Sequence, residues 1–124
     1  DSWYETRSLS DGVTWIYEPF IKDYYRCNIW HVRGRERDLL IDSGMGVVSL
    51  REQVALLAER PILAVASHTH FDHIGTHHEF PHRAVHPAEA DILAHPTRGN
   101  TVAEKYVADN SIFTALPPQI SSRW

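Results

Sequence analysis

The stretch "SHTHFDHIG", Ser67 to Gly75, decides how the rest of the chain is read. Three histidines and one aspartate fall between His68 and His73. The apolar run Ile62–Ala66 precedes them directly and reads as a buried strand. In an extended segment, residues two apart point the same way, so His68 and His70 can grip one ion with two imidazoles. Asp72 and His73 follow Phe71, where the chain is expected to turn into a helix. They address a neighbouring point with one oxygen and one nitrogen. Imidazole mixed with carboxylate suits zinc, iron or manganese better than magnesium or calcium. Two ions about 3.5–4 Å apart can clamp an attacking oxygen and a scissile carbonyl or phosphoryl group. A lone surface histidine would carry no such message; four ligand-type residues at this spacing do.

Upstream lies "DLLIDSGMG", Asp38 to Gly46. Leu39, Leu40 and Ile41 form a continuous apolar run, expected of a strand buried on both faces. A helix should follow: Ser49 and Glu52 make a capping box, and Val47, Leu50, Val54 and Leu57 recur at helical spacing. Pro61 disfavours helix at Arg60 and ends the segment. Strand, helix and strand then form a crossover, most simply parallel and right-handed. Parallel strands place Asp42 and His68 at the same sheet edge, where open α/β sheets gather ligands.

Further outward, "DGVTWIYEPF" opens with a turn pair and continues as a strand. "CNIWHVRG" reads as another, joined to "DLLID" in a hairpin around "RGRERD". Downstream, "RAVHPAEADILAH" reads as a short strand entering a helix with Pro87 in its first turn, stopped by Pro96. "TVAEKYVAD" carries the same cap logic, Thr101 with Glu104, and reads as another helix. His77, His78 and His82 read as helix or loop surface. His31, His86 and His95 read as structural, with His86 the one to check against the site.

The chain has 124 residues, 43% of them hydrophobic and 23% charged, as in a globular single domain. Its net charge is −4 and no Lys/Arg run stands out, so no nucleic-acid partner is expected. No apolar stretch reaches the length of a membrane span, and no basic-then-apolar leader opens the chain. The single cysteine, Cys27, excludes an internal disulfide framework and reads as a buried thiol, which points to the reducing cytoplasm. The chain opens at Asp1 without methionine and closes on the linker-like "PPQISSRW", so both ends read as cuts.

"HTHFDH" resembles the H-x-H-x-D-H signature of the metallo-β-lactamase superfamily, and "LLIDSGMG" resembles its earlier D-[ST]-G motif. Their order, the intervening helix and the later "AVHPAEA" agree with that family. The resemblance implies an α/β fold, an αββα sandwich with a mixed sheet and flanking helices. It implies that His68 and His70 bind a first zinc ion and Asp72 and His73 a second, with iron or manganese as other candidates. Asp72 would be the catalytic carboxylate, and Asp42 would orient a ligand from behind. "SLSDGVTWI", "NIWHVRGRERDLLIDSGMG" and "PILAVASHTHFDH" resemble a branch of the superfamily for which hydrolysis of thioesters such as acyl-coenzyme A, or of esters, by metal-bound hydroxide is implied. Superfamily domains run to nearly twice this length, and their second half supplies three more ligands. No histidine follows His95, and Asp109 lacks the family's glycine-aspartate context. Residues 1–124 are therefore expected to be the N-terminal part of one domain, inactive alone. One apolar sheet face would need the missing half or another copy to cover it. The alternatives are a non-enzymatic metal-binding half-domain and an iron-dependent oxygenase or nuclease of the same superfamily.

Overall fold

The computed structural model describes residues 2–106 and 112–114. Six strands form one sheet in chain order: β1 (Glu5–Ser8), β2 (Val13–Tyr17), β3 (Ile29–Val32), β4 (Asp38–Ile41), β5 (Ile62–Val65) and β6 (Arg83–Ala84). The first four pair antiparallel; β5 pairs parallel with β4, and β6 parallel with β5. The hairpin around "RGRERD" and the parallel crossover are both present as read. β1 carries no apolar pattern, being exposed along its whole length, and is held only as the edge partner of β2.

The two sheet faces differ. Ile16, Ile29, Leu40, Ile62 and Ala64 are buried and share one cluster with Leu50, Val54, Leu57 and Phe80. Burying each such leucine or isoleucine is worth about 1.5–3 kcal/mol. On the other face, Trp15, Trp30, Ile41, Val65 and Ala84 align in one row across five strands. Val32, Leu39 and Leu63 form a second row there. All of these are only half-buried. The strand of Leu39–Ile41 is thus covered on one face, not on both: its burial alternates, because among the described residues nothing packs over the second face as fully as the helices pack over the first.

The crossover segment departs from a single helix. Helix α1 (Leu50–Gln53) begins as read, with Ser49 Oγ accepting from Glu52 N at 3.3 Å. Val54 then turns extended, with φ −107° and ψ 91°, and a 3-10 turn runs over Ala55–Ala58. A period of three brings Val54 and Leu57 onto one side, and both are buried. Helix α2 (Phe71–Ile74) follows β5, and helix α3 (Ala90–Ala94) is entered through a 3-10 turn at Pro87–Glu89.

"TVAEKYVAD" is not the expected helix over its described part. Val102 sits at φ +65°, outside right-handed helix, and only Ala103–Lys105 form a 3-10 turn. Thr101 Oγ1 donates back to Thr97 O at 2.5 Å instead of capping forward. Residues 107–109 lie outside the described part. No helix among the described residues is long and apolar enough to cross a membrane.

Candidate metal centre

The site grows from the ends of β4 and β5. Asp42 follows β4 with φ +64°, a left-handed conformation uncommon for a residue with a Cβ. Gly44 and Gly46 follow at φ +81° each. This kinked run turns the Asp42 carboxylate back toward β5. There Ser67 N donates to Oδ1 at 2.7 Å and Ser67 Oγ donates to Oδ2 at 2.7 Å. His73 Nδ1 reaches the same Oδ2 at 2.7 Å.

Helix α2 sits against the glycine loop with no room to spare. Ser43 N donates to His73 O and Gly75 N to Gly44 O, each at 2.8 Å. A Cβ on Gly75 would lie 2.2 Å from Gly46 N. Thr76 N donates to Ser43 Oγ at 3.1 Å, and Thr76 Oγ1 donates to Ser43 O at 2.9 Å. On the far side, Thr69 N and Oγ1 donate to the Glu89 carboxylate at 3.2 and 3.0 Å, pinning the turn between His68 and His70.

The four residues of the H-x-H-x-D-H run lie together. The His68 ring centroid is 4.7 Å from that of His70 and 4.1 Å from that of His73. His73 Nε2 is 3.5 Å from Asp72 Oδ2. Hydrogen-bond logic sets the tautomers. Ser67 Oγ has one proton and gives it to Asp42, so His68 Nδ1, 3.0 Å away, donates to Ser67 Oγ. His73 Nδ1 donates to Asp42. In the neutral form of each ring, Nε2 is then the nitrogen without a proton.

Electrostatics treat the two rings differently. Burial works against the Asp42 charge, but the bonds from His73 and Ser67 outweigh it and hold the carboxyl below its usual range. Burial likewise opposes a charge on His73, yet Asp42 and Asp72 push its pKa up. His68 is pushed down, first by burial and then by His73 and His70. Cys27 is buried with Sγ 3.5 Å from His73 Nδ1, and burial raises its thiol strongly, so it stays protonated. Cys27, Asp42 and His73 offer ligand atoms within 4.8 Å of one another, but Asp42 and His73 Nδ1 already spend theirs on each other.

His77 corrects the sequence reading. It is buried, not on the surface, and its Nδ1 is 2.6 Å from Ser43 Oγ. Burial pushes its pKa down. The D-[ST]-G serine needs a partner that only the folded loop reveals. His78 and His82 are exposed, as read. His86 is exposed and caps the Ala88 amide at 3.1 Å, a local role. His31 is structural: its Nε2 is 2.9 Å from the buried Asp38 Oδ2, locking the β3–β4 hairpin. Sequence reasoning passed over Glu18, a wholly buried carboxyl after β2. Its only signal was a charge at the end of an apolar strand.

The chain matches the model of the metallo-beta-lactamase superfamily over residues 23–121. It is 42% identical over 128 residues to the acyl-coenzyme A thioesterase MBLAC2 of Bos taurus and 46% identical over 127 residues to that of Gallus gallus. Each comparison covers 94% of this chain, and the chain spans about 45% of the length of these relatives. Its fold is similar to metallo-beta-lactamases from Pontibacter korlensis (TM-score 0.59, 21% identity) and Hirschia baltica (TM-score 0.58, 16% identity). These cover 75% and 82% of this chain, which spans 48% of each. A mixed sheet, a glycine loop carrying Asp42 and an H-x-H-x-D-H run at one sheet edge are thus the features of a chain that belongs to the metallo-beta-lactamase superfamily.

Proposed function

We propose that residues 1–124 form the N-terminal part of a dinuclear metallohydrolase domain acting on acyl thioesters of the coenzyme A type. The observation that carries the reading is that one carboxylate, Asp42, engages Nδ1 of His73 directly and Nδ1 of His68 through Ser67 Oγ, which leaves Nε2 of both rings as the nitrogen available to an ion. Two imidazoles on one side and an imidazole with a carboxylate on the other fit zinc, with iron or manganese also within the donor chemistry. His68 and His70 hold the first ion; Asp72 and His73 hold the second. Bound there, the ions supply Lewis acidity toward an acyl carbonyl and an activated water.

The chain's own residues prepare that chemistry. Asp42 fixes the His73 ring and, through Ser67, the His68 ring, so neither needs to reorient when an ion arrives. Glu89 holds the backbone between His68 and His70. Asp72 is the one carboxylate this run contributes, and it faces His73 Nε2. A catalytic zinc ordinarily has three protein ligands, and these residues would supply two to each ion. The remaining ligands come from outside residues 1–124, as does the cover for the half-buried face of Trp15, Trp30, Ile41 and Val65. The substrate class rests on the name of the MBLAC2 relatives.

Thioester cleavage at matched metal loading tests the proposal. The isolated residues 1–124 should be inactive, the full-length protein active, and its Asp72→Ala variant nearly dead. Full activity from the short chain would show that the site is completed by other residues. Inactivity of both toward thioesters, lactones and phosphoesters would favour a metal-binding half-domain without turnover.

A further inference from the structure

Glu18 lies beneath the loop that seats α2. It is wholly buried, with Trp3 Nε1 donating to Oε2 at 2.8 Å and Met45 N donating to Oε1 at 3.0 Å. Gly44 sits so close that a Cβ there would lie 2.6 Å from Oε1 and 3.2 Å from Ile29 Cδ1. No cation pairs with the carboxylate among the described residues. Burial lifts its pKa to about 7 against the pull of those two bonds, and the charge of Asp72 adds to the rise. An apolar side chain would fill the same volume without that desolvation cost. What it could not do is accept the Met45 amide.

The next links run upward. Gly44 O accepts from Gly75 N, the residue that ends α2, and Ser43 N donates to His73 O. Residues 43–45 are therefore clamped between a carboxylate below and the helix carrying Asp72 and His73 above. We propose that Glu18 is a positioning residue of the metal centre: its carboxylate sets the Gly44–Met45 peptide, and that peptide sets the seat of α2. This inference rests on the metal reading of the site. Ligands held within about 0.5 Å of their working geometry need such a shell behind them.

The test compares four forms of the full-length protein: the parent, Glu18→Gln, Trp3→Phe, and a His68→Ala/His70→Ala control. Zinc affinity is read by chelator competition, and ligand geometry by the visible spectrum of the cobalt-loaded protein. Gln keeps the size of Glu but brings one acceptor oxygen to two N–H donors. Glu18→Gln should weaken zinc binding on the order of 10-fold and shift the cobalt bands. Trp3→Phe removes the other donor to Glu18 and part of the buried ring stacked on Phe20, but leaves the Met45 bond; it should lower the Tm and leave affinity and spectrum unchanged. Parent-like zinc affinity and spectrum in Glu18→Gln overturn the inference, as do equal changes in Trp3→Phe, since either leaves Glu18 a core residue only. A His68→Ala/His70→Ala variant that keeps the parent's full zinc content and affinity overturns the metal reading and this inference together. Loss of zinc there alongside an unchanged Glu18→Gln overturns the inference alone.

Discussion

Asp42 and His73 stand 31 positions apart in the chain, yet Oδ2 and Nδ1 meet at 2.7 Å. The approach requires Asp42 to hold φ +64°, a conformation that costs on the order of 1–3 kcal/mol. Three donors converge on the carboxylate in return: the Ser67 amide, the Ser67 hydroxyl and the His73 ring. One strained residue thereby organises two imidazoles.

Asp42→Asn tests that organisation with little backbone cost, because Asn tolerates the left-handed region. Its amide presents a donor where only acceptors fit. Metal affinity should fall by about 10–100-fold, and His73 should lose its single tautomer in ¹⁵N spectra. Parent-like affinity with one retained tautomer would reduce Asp42 to a turn residue.

Ser43→Ala removes the hydroxyl that bonds His77 Nδ1 and accepts from Thr76 N. Both partners are buried and would be left unsatisfied. Stability should fall by about 1–3 kcal/mol in urea titration. A loss below the scatter of the measurement would mean that His77 is satisfied in another way.

Gly75→Ala places a methyl 2.2 Å from Gly46 N and 2.5 Å from Gly44 O, both backbone atoms that cannot swing away. The helix must lift from the loop. We expect a loss of about 1–3 kcal/mol together with weakened metal binding. Gly99→Ala, whose added methyl would meet nothing closer than 3.9 Å, serves as the neutral comparison. Equal behaviour of the two variants would refute the close seating of α2.

Glu18 makes stability depend on pH in a stated direction. Its pKa rises from 4.5 when unfolded to about 7 when folded. The native state therefore binds the extra proton, and the stabilisation is complete below pH 4.5 and lost as pH rises through 7. The full effect is roughly 3 kcal/mol, from about 1.36 kcal/mol per pKa unit. Glu18→Gln should flatten this part of the stability profile between pH 5 and 7, measured by urea midpoint. An identical slope in the two proteins would place the Glu18 pKa near its unfolded value.

The H-x-H-x-D-H run, the D-S-G turn and the strand–helix–strand crossover were legible in the chain because each is local: a handful of consecutive residues carries the pattern and its period. The β3–β4 hairpin and the burial of Cys27 were legible for the same reason. The break at Val54 was not, since helical spacing and a 3-10 turn both bring 54 and 57 to one side, and packing chose between them. Nor was His77, whose burial depends on Ser43 arriving from 34 residues away. Glu18 reads as an ordinary charge until Trp3 and Met45 close over it. Residue order thus sets which ligand-type side chains occur together and on what kind of element. The folded approach of Asp42 to Ser67 and His73 sets which nitrogen the neutral His68 and His73 rings present, because tautomers follow hydrogen bonds made across the chain, and those exist only once distant segments are in contact.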